Sequence, residues 1–494
     1  MILLCTLNAR YIHSALGLRY LKANMGELER DTQIMEFMIN QQPIDIAETI
    51  LAQNPSILGL GIYIWNITQS AELLSIIKTL RPGLKVVLGG PEISHETELS
   101  PAYPYADYII KGQGDLAFKS LCHDIISNRP VIHKIIDAAT FHPTEIIQPY
   151  HLYSDEDIRQ RVIYVEASRG CPFKCEFCLS ALDKTSQPFD IEQFLHSMDL
   201  LYARGARHFK FVDRTFNLNL KISKQILQFF LSKPLHDLFL HFELIPDRLP
   251  KELKTLIELF PAGALQFEIG IQTFNPTIQL NISRKQDHQK TIDNLTYLTS
   301  QTKVHLHTDL IAGLPGEDIN SFAQGFDLLI NLGCQEIQIG ILKRLRGTPI
   351  IRHTEQHNLR FNPNPPYTVL STDTMDSSTL FRINRFARYW DMIGNSGRFA
   401  HSLPPILADK PFHHFMDLSD WIFSTSQQTH QIALPRLFKL LHQKFAHNSD
   451  IVLNLQQDYE KTGSKKSFAQ LVGVQVETQK TSASASSRQL RHLQ

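Results

Sequence analysis

The chain has 494 residues, 43% of them hydrophobic, with 49 Lys+Arg against 49 Asp+Glu. That length exceeds one hydrophobic core and predicts two to four domains. The balanced charge excludes a bulk electrostatic attraction to nucleic acid or to an acidic membrane surface. No apolar run reaches the roughly 18 residues of a membrane span. The start, MILLCTLNARYIH, lacks a basic n-region and a small-residue cleavage site and reads as a first strand. Six cysteines, three of them clustered, are not a disulfide framework, so a reducing cytoplasm is expected.

From 1 to 140, short apolar runs alternate with amphipathic stretches. Strands are expected at Ile2–Asn8, Gln33–Met38, Ser56–Trp65, Lys85–Gly89 and Ala106–Lys111, with helices over 15–25, 44–53, 66–80 and 115–127. Gln69 is the expected capping partner of Asn66. Five β/α units with apolar strands predict a parallel, doubly wound, Rossmann-like sheet with its ligand at the carboxyl ends of the strands. Those ends carry Tyr63-Ile64-Trp65-Asn66, Gly89-Gly90-Pro91-Glu92 and Gly112-Gln113-Gly114. Glycines there let a backbone approach a ligand closely. His13 follows the first strand, where it could approach a ligand or the neighbouring barrel, and the favoured expectation for it is a helix cap or a backbone contact. Residues 141–157 read as a linker.

From 158 to 355, strands at 161–166, 208–213, 239–244, 264–271, 304–311 and 336–342 alternate with helices, predicting a partial (β/α)6 barrel with its chemistry at the carboxyl ends. The first strand runs into YVEASRGCPFKCEFCLSALD, which places Cys171, Cys175 and Cys178 in a C-x3-C-x2-C array. A closed structural zinc site takes four ligands, and so does an ordinary iron–sulfur cluster. Three thiolates leave one position open for a small molecule.

This array, with Phe177 just before the third cysteine and at the end of a first barrel strand, resembles the radical S-adenosylmethionine (SAM) superfamily. The resemblance implies a [4Fe–4S] cluster on the three cysteines, with SAM chelating the fourth iron. It further implies that Phe177 and the Gly313-Leu314-Pro315-Gly316-Glu317 turn lie near adenine, and that Gln272 lies near the ribose and carboxylate. The usual glycine- and glutamate-containing turn after strand two is replaced by Asp213-Arg214-Thr215-Phe216-Asn217, so Asp213 or a backbone carbonyl is the expected acceptor of the SAM amino group. Upstream, Gly89-Gly90-Pro91-Glu92 and Gly112-x-Gly114 resemble the cobalamin-binding domain of cobalamin-dependent radical SAM enzymes. That likeness implies a cobalamin whose nucleotide tail follows these glycines and whose corrin lies near Tyr63, Trp65 and Asn66. Glu243, Glu268 and Asp309 are the candidate acids or bases toward substrate.

Residues 356–477 read as mostly helical and 478–494 as a disordered tail. The domain order is similar to a subgroup of cobalamin-binding radical SAM proteins with an uncharacterised C-terminal domain (DUF4080-like). The expected reaction is methylation of an unactivated carbon, with an electron donor such as flavodoxin or ferredoxin, no membrane partner and no nucleic acid. Cobalamin redox or rearrangement chemistry and a non-catalytic corrinoid sensor stand as alternatives.

Overall fold

The computed structural model describes residues 1–473; the expected tail at 478–494 lies outside the described residues. The first sheet contains β1 (Ile2–Asn8), β2 (Thr32–Met38), β3 (Ile57–Gly61), β4 (Lys85–Gly89), β5 (Tyr108–Lys111) and β6 (Ile135–Asp137). All its pairs are parallel, in the order β2-β1-β3-β4-β5-β6. Five helices accompany it: α1 (Leu16–Ala23), α2 (Pro43–Ala52), α3 (Ile67–Leu80), α4 (Pro91–Ser94) and α5 (Gly114–Ile126). Leu3, Cys5 and Leu7 of β1 pack with α2 and α3. Ile2 and Leu4 pack with α1 and α5 on the opposite face. Covering on both faces is why β1 is an unbroken apolar run with every residue buried.

Three local expectations are corrected. The third strand ends at Gly61, because Asn66 folds back. Its Oδ1 accepts the Tyr63 N–H (2.8 Å) and its Nδ2 donates to the carbonyls of Leu7 and Gly61 (3.1 Å each), which leaves Asn66 without the expected capping bond to α3. A sixth strand, β6, was not anticipated; as a half-exposed edge strand it carries little hydrophobic signal. The stretch 141–157 is a packed strap. Tyr150 and Tyr153 are buried, and their hydroxyls donate to the carbonyls of Glu166 (2.9 Å) and Tyr164 (2.7 Å). The strap ends in α6 (Asp155–Gln160), whose start is fixed by a Ser154/Asp157 capping box.

The second sheet runs β7 (Ile163–Val165), β10 (His208–Phe211), β11 (Phe239–Leu244), β12 (Leu265–Gln272), β13 (His305–Ala312) and β14 (Glu336–Ile341), all parallel. A small antiparallel pair, β8 (Ser168–Arg169) and β9 (Gln187–Pro188), interrupts the numbering. The crossover helices are α7 (Ile191–Ala203), α8 (Leu220–Leu231), α9 (Lys251–Glu258), α11 (His288–Gln301) and α12 (Ile319–Asn331); a short α10 (Pro276–Asn281) was not anticipated. Buried and partly exposed residues alternate strictly along β12 and β13. The apolar set faces the helices, and Glu268, Gln272, His307 and Asp309 fall on the other face, inside the barrel.

Two compact units divide the chain, Met1–Asn384 and the residues from Arg385 onward. Beyond the expected 355/356 break, β15 (Arg360–Phe361) and β16 (Val369–Ser371) still bond to the first unit: Val369 N–H donates to Leu342 O (2.8 Å) and Arg344 N–H to Tyr367 O (3.0 Å). α13 (Ser377–Ile393) crosses the boundary. The second unit continues through α14 (Leu403–Leu407), α15 (Pro411–Ser426), α16 (Leu434–Phe445), α17 (Ser449–Glu460) and α18 (Phe468–Val472). Phe399, Phe438, Tyr459 and Phe468 pack in its core. Among the described residues, no helix is long and apolar enough to cross a membrane.

Candidate active site

The cysteine loop is built from its base upward. β8 pairs with β9 and closes the loop that follows β7. Gly170 has φ +93°, and a Cβ there would sit 2.4 Å from the Thr185 carbonyl oxygen, so only glycine fits. Cys171 N–H then donates to Asp183 O (3.2 Å) and Cys178 N–H to Cys175 O (3.2 Å). Glu176, buried between them, anchors the far side. Its carboxylate takes His353 Nε2 (2.8 Å), Ser283 Oγ and Arg352, its N–H donates to Ile282 O (3.1 Å), and its carbonyl accepts Ile350 N–H (3.0 Å). Cys171 and Cys175 are buried and Cys178 is half-buried.

All three thiols line one cavity of about 260 Å³, together with Phe173 and Phe177 from the same loop. The barrel contributes Arg214, Glu243, Glu268, Gln272 and Asp309, and Arg284 reaches in from the segment after α10. Arg284 Nη1 lies 3.5 Å from Cys175 Sγ, and its Nη2 donates to the Gly270 carbonyl. A register shift in β12 between Gly270 and Gln272 turns Gln272 into the cavity at φ +71°. Burial pushes the Cys171 thiol up; the neighbouring Cys178 and Cys175 add to this, while the Phe173 N–H and Arg214 oppose it.

The three carboxylates are not equivalent. Burial, reinforced by Glu268 and Glu243, pushes Asp309 up to about 8, so it carries a proton at neutral pH. For Glu268 burial also opposes ionisation, yet the His241 hydrogen bond (2.9 Å) and the Lys210 and His307 charges win and pull it down to about 2. Glu243 is raised by burial against the pull of Arg214, which donates to it at 2.7 Å.

The cavity wall leaves buried polar atoms without hydrogen bonds: Gln272 Oε1, Thr215 Oγ1 and Asp309 Oδ1, the last with His307 Nε2 at 3.5 Å. Unmet buried polar groups cost roughly 1–3 kcal/mol each, so this wall is built for a polar ligand. Among the described residues, no three His, Cys, Asp or Glu side chains gather at a single-ion position. The thiols instead form the wall of a cavity. Three thiols, an adjacent guanidinium and unmet polar atoms fit a three-cysteine cluster with SAM beside it.

Two expected SAM contacts lie elsewhere. Asp213 lines a neighbouring cavity between β10 and α8, and its carboxylate accepts from Ala167 N–H (3.0 Å) and Ser168 Oγ (2.7 Å). Burial raises it to about 7 against those bonds. Gly313 faces packing instead of a cavity, since a Cβ there would sit 2.5 Å from Val369 Cγ1. In the same turn Glu317 is buried, accepts from Thr273 and Ser321, and is raised to about 7 by burial.

At the carboxyl end of the first sheet, two cavities share Gly17, Tyr20, Tyr63 and Arg169. The first, about 320 Å³, is floored by Gly59, Gly61, Gly89, Gly112 and Gly114. At Gly59 a Cβ would meet the core side chains Leu4 at 2.8 Å and Phe118 at 3.0 Å, so packing requires this glycine, whereas at Gly112 a Cβ would meet nothing within 4 Å. The second, about 560 Å³, reaches Tyr164 and Glu166 of the barrel and contains Trp65 stacked on Tyr63 at 4.5 Å between ring centroids. A glycine-floored slot opening into a wider aromatic chamber fits a cobalamin. Gly90 lines the slot too, but its φ of +105° and a Cβ contact of 2.5 Å with Ile62 O show a backbone requirement. Asn66 holds backbone, as described above. Pro91 opens α4. Glu92 turns to the barrel side, where it accepts from Tyr367 OH (2.6 Å) and Arg346 Nε (3.0 Å).

Sequence reasoning missed Arg284, which no motif flags, and Arg169, which adjoins both N-terminal cavities and pairs with Glu166 (2.6 Å) and Asp115 (3.1 Å). For His13 the structure shows the approach to the neighbouring barrel, and not the helix cap or backbone contact that was favoured. The imidazole caps nothing; Nδ1 is hydrogen-bonded to Tyr164 OH at 2.7 Å across to the barrel.

Family models match the chain in three consecutive stretches: a B12 binding domain over 2–122, the radical SAM superfamily over 165–329, and a protein of unknown function (DUF4080) over 355–493. The chain is 23% identical over 346 residues to the 2-(S-pantetheinyl)-carbapenam-3-carboxylate methyltransferase of Streptantibioticus cattleyicolor, covering 62% of this chain and 50% of that one. It is 24% identical over 384 residues to the cobalamin-dependent radical SAM methyltransferase TokK of Streptomyces tokunonensis, covering 69% and 55%. The chain thus spans about half the length of these two relatives. In fold it is similar to the radical SAM methyltransferase TsrM of Kitasatospora setae, with a TM-score of 0.62 at 15% identity over 87% of this chain and 99% of that one. The chain joins, in this order, a B12 binding domain, a radical SAM domain and a DUF4080 domain, and the first two imply a [4Fe–4S] cluster, SAM and cobalamin.

Proposed function

We propose that this protein is a cobalamin-dependent radical SAM methyltransferase acting on an unactivated carbon. One observation carries the reading: a three-cysteine cavity and a glycine-floored cavity lie in the same compact unit, joined by the short segment 166–171. Both named relatives are methyltransferases, which supports the same reaction class. The bound cluster and SAM supply a 5′-deoxyadenosyl radical, and cobalamin supplies the methyl group.

The chain's own residues bind and orient. Cys171, Cys175 and Cys178 hold the cluster. The Arg284 guanidinium takes the SAM carboxylate. Glu243, which faces the cavity, replaces Asp213 as acceptor of the SAM ammonium. Protonated Asp309 donates to a ribose hydroxyl and the unmet Gln272 Oε1 accepts from one. Phe177 packs against adenine, and Phe173 with Leu244 and Ile245 helps exclude water. Gly59, Gly61, Gly89, Gly112 and Gly114 admit the cobalamin tail, with Tyr63 and Trp65 beside the corrin. Glu268, held ionised, is left to face the substrate. A reducing cytoplasm keeps the three thiols open, and a flavodoxin- or ferredoxin-class donor supplies electrons.

The test is anaerobic reconstitution with iron, sulfide and hydroxocobalamin, then SAM and dithionite. Formation of both 5′-deoxyadenosine and S-adenosylhomocysteine supports methyl transfer. 5′-Deoxyadenosine alone favours redox or rearrangement chemistry, and neither product overturns the proposal.

A further inference from the structure

Among the described residues, Arg284 makes no ion pair. Its Nε donates to Gln286 Oε1 (3.0 Å), its Nη2 to the Gly270 carbonyl, and its Nη1 lies 3.5 Å from Cys175 Sγ. Other charges line the same cavity, but among the described residues none of them bonds to a loop sulfur. Arg214 is paired with Glu243 (2.7 Å), and Glu268 is held by His241 (2.9 Å) and Lys210 (3.5 Å). Asp309 keeps its proton. Asp247 and the exposed Lys285, of opposite sign, complete the wall.

The turn that delivers Arg284 is built with a serine where glycine is usual. After α10 the chain closes through Ser283 N–H to Leu280 O (3.1 Å) and Arg284 N–H to Gln279 O (2.8 Å), with Ser283 at φ +53°. Glycine commonly fills that left-handed position at a helix end, because a Cβ is disfavoured there. The serine hydroxyl has a use at this position: it donates to the Glu176 carboxylate. Beside it, Glu176 N–H donates to Ile282 O (3.1 Å). The same carboxylate takes His353 Nε2 (2.8 Å) and Arg352 on its far side. Cys175 precedes Glu176 and Ser283 precedes Arg284, so these two bonds between loop and turn fix the guanidinium against the sulfur.

We infer that Arg284, seated on Cys175 Sγ by the bond between Ser283 and Glu176, makes the cluster easier to reduce, with Ser283 and Glu176 as its positioning residues. The inference rests on the cluster assignment above. A cluster on three thiolates is anionic, and reduction adds one negative charge. A guanidinium stays charged at any working pH, so at a cluster sulfur it favours the reduced state over the oxidised one. One electron passes from the external one-electron donor, which is oxidised by one, to the cluster, which is reduced by one; no bond or proton is exchanged. Arg284 thus has a second task beside the SAM carboxylate, and Ser283 has a task that the turn alone does not give it.

The test is a redox titration of the reconstituted full chain with dithionite and mediators, followed by electron paramagnetic resonance. It is run without SAM, so that the carboxylate contact of Arg284 plays no part. Arg284→Gln is expected to lower the equilibrium constant for reduction about tenfold, equivalent to ~59 mV for one electron. Arg284→Lys, which keeps the charge, should retain most of the wild-type value. Ser283→Ala should shift the potential in the same direction as Arg284→Gln, by several-fold in the equilibrium constant. Iron and sulfide content are the controls for cluster loading. Arg284→Gln with a full cluster and the wild-type potential overturns the tuning, and Ser283→Ala with the wild-type potential overturns the positioning. If Arg284→Gln takes up no cluster, Ser283→Ala decides: a lowered potential supports the inference and an unchanged one overturns it. A wild type that takes up no cluster overturns the cluster assignment, and the tuning with it.

Discussion

Asp309 and Arg284 set the chemistry of the cysteine cavity one side chain at a time. A carboxyl ordinarily near 3.9 that is raised to about 8 keeps a proton which the unfolded chain releases. Native protein therefore binds more protons than unfolded protein between about pH 4 and pH 8, and stability falls as pH rises through that window. Asp309→Asn removes the titration. Thermal unfolding of the cofactor-free variant should show a stability gain over wild type that grows from pH 5 to pH 8 by roughly 4 kcal/mol; a pH-independent difference would count against a protonated Asp309. Arg284→Ala should raise the SAM dissociation constant about 10–100-fold, the worth of a charge-assisted hydrogen bond, as read by anaerobic equilibrium dialysis. The three cysteines were legible from spacing alone. Arg284 was not, because a lone arginine after a short unanticipated helix carries no pattern; only its approach to Cys175 and Gly270 gives it meaning.

Among the elements, the parallel strands were the most readable, for two different physical reasons. Strands of the first sheet are covered by helices on both faces and read as continuous apolar runs. Those of the barrel alternate, since one face meets helices and the other a polar interior. Turns were less readable. The expected strand through Trp65 stops at Gly61 because Asn66 satisfies backbone groups, a preference invisible in an apolar string. Glycines at strand ends looked alike in sequence yet divide in the structure. Gly112 lines the cavity with open space where a Cβ would be, whereas Gly90 is required by its own backbone and by Ile62 O at 2.5 Å. Gly90→Ala should cost about 2–3 kcal/mol in denaturant unfolding, whether or not cobalamin is present. A loss below about 0.5 kcal/mol would refute the backbone requirement.

At the level of the whole first unit, the N-terminal sheet and the barrel are tied by buried polar bonds. Glu92 of α4 accepts from Tyr367 and Arg346, and Arg344 pairs with Glu96 (2.7 Å). Sequence reasoning gave Glu92 to the cofactor, since the partners that claim it lie more than 250 positions away. Removing one member of a buried pair strands the other, so Glu92→Ala should cost about 3–5 kcal/mol and split a single denaturation transition into two. Unchanged, single-step unfolding would show that the clamp does not hold sheet to barrel. The central claim is that cobalamin and the SAM-bound cluster serve one reaction, and it is tested most directly without any substrate. Reconstituted protein loaded with cob(I)alamin is given SAM bearing a deuterated methyl group, and the cobalamin and nucleoside products are analysed by mass spectrometry before and after dithionite. The account predicts deuterated methylcobalamin with S-adenosylhomocysteine first, then 5′-deoxyadenosine on reduction, the latter lost in a Cys171→Ala/Cys175→Ala/Cys178→Ala variant. Absence of deuterated methylcobalamin, or 5′-deoxyadenosine undiminished in that variant, would contradict it.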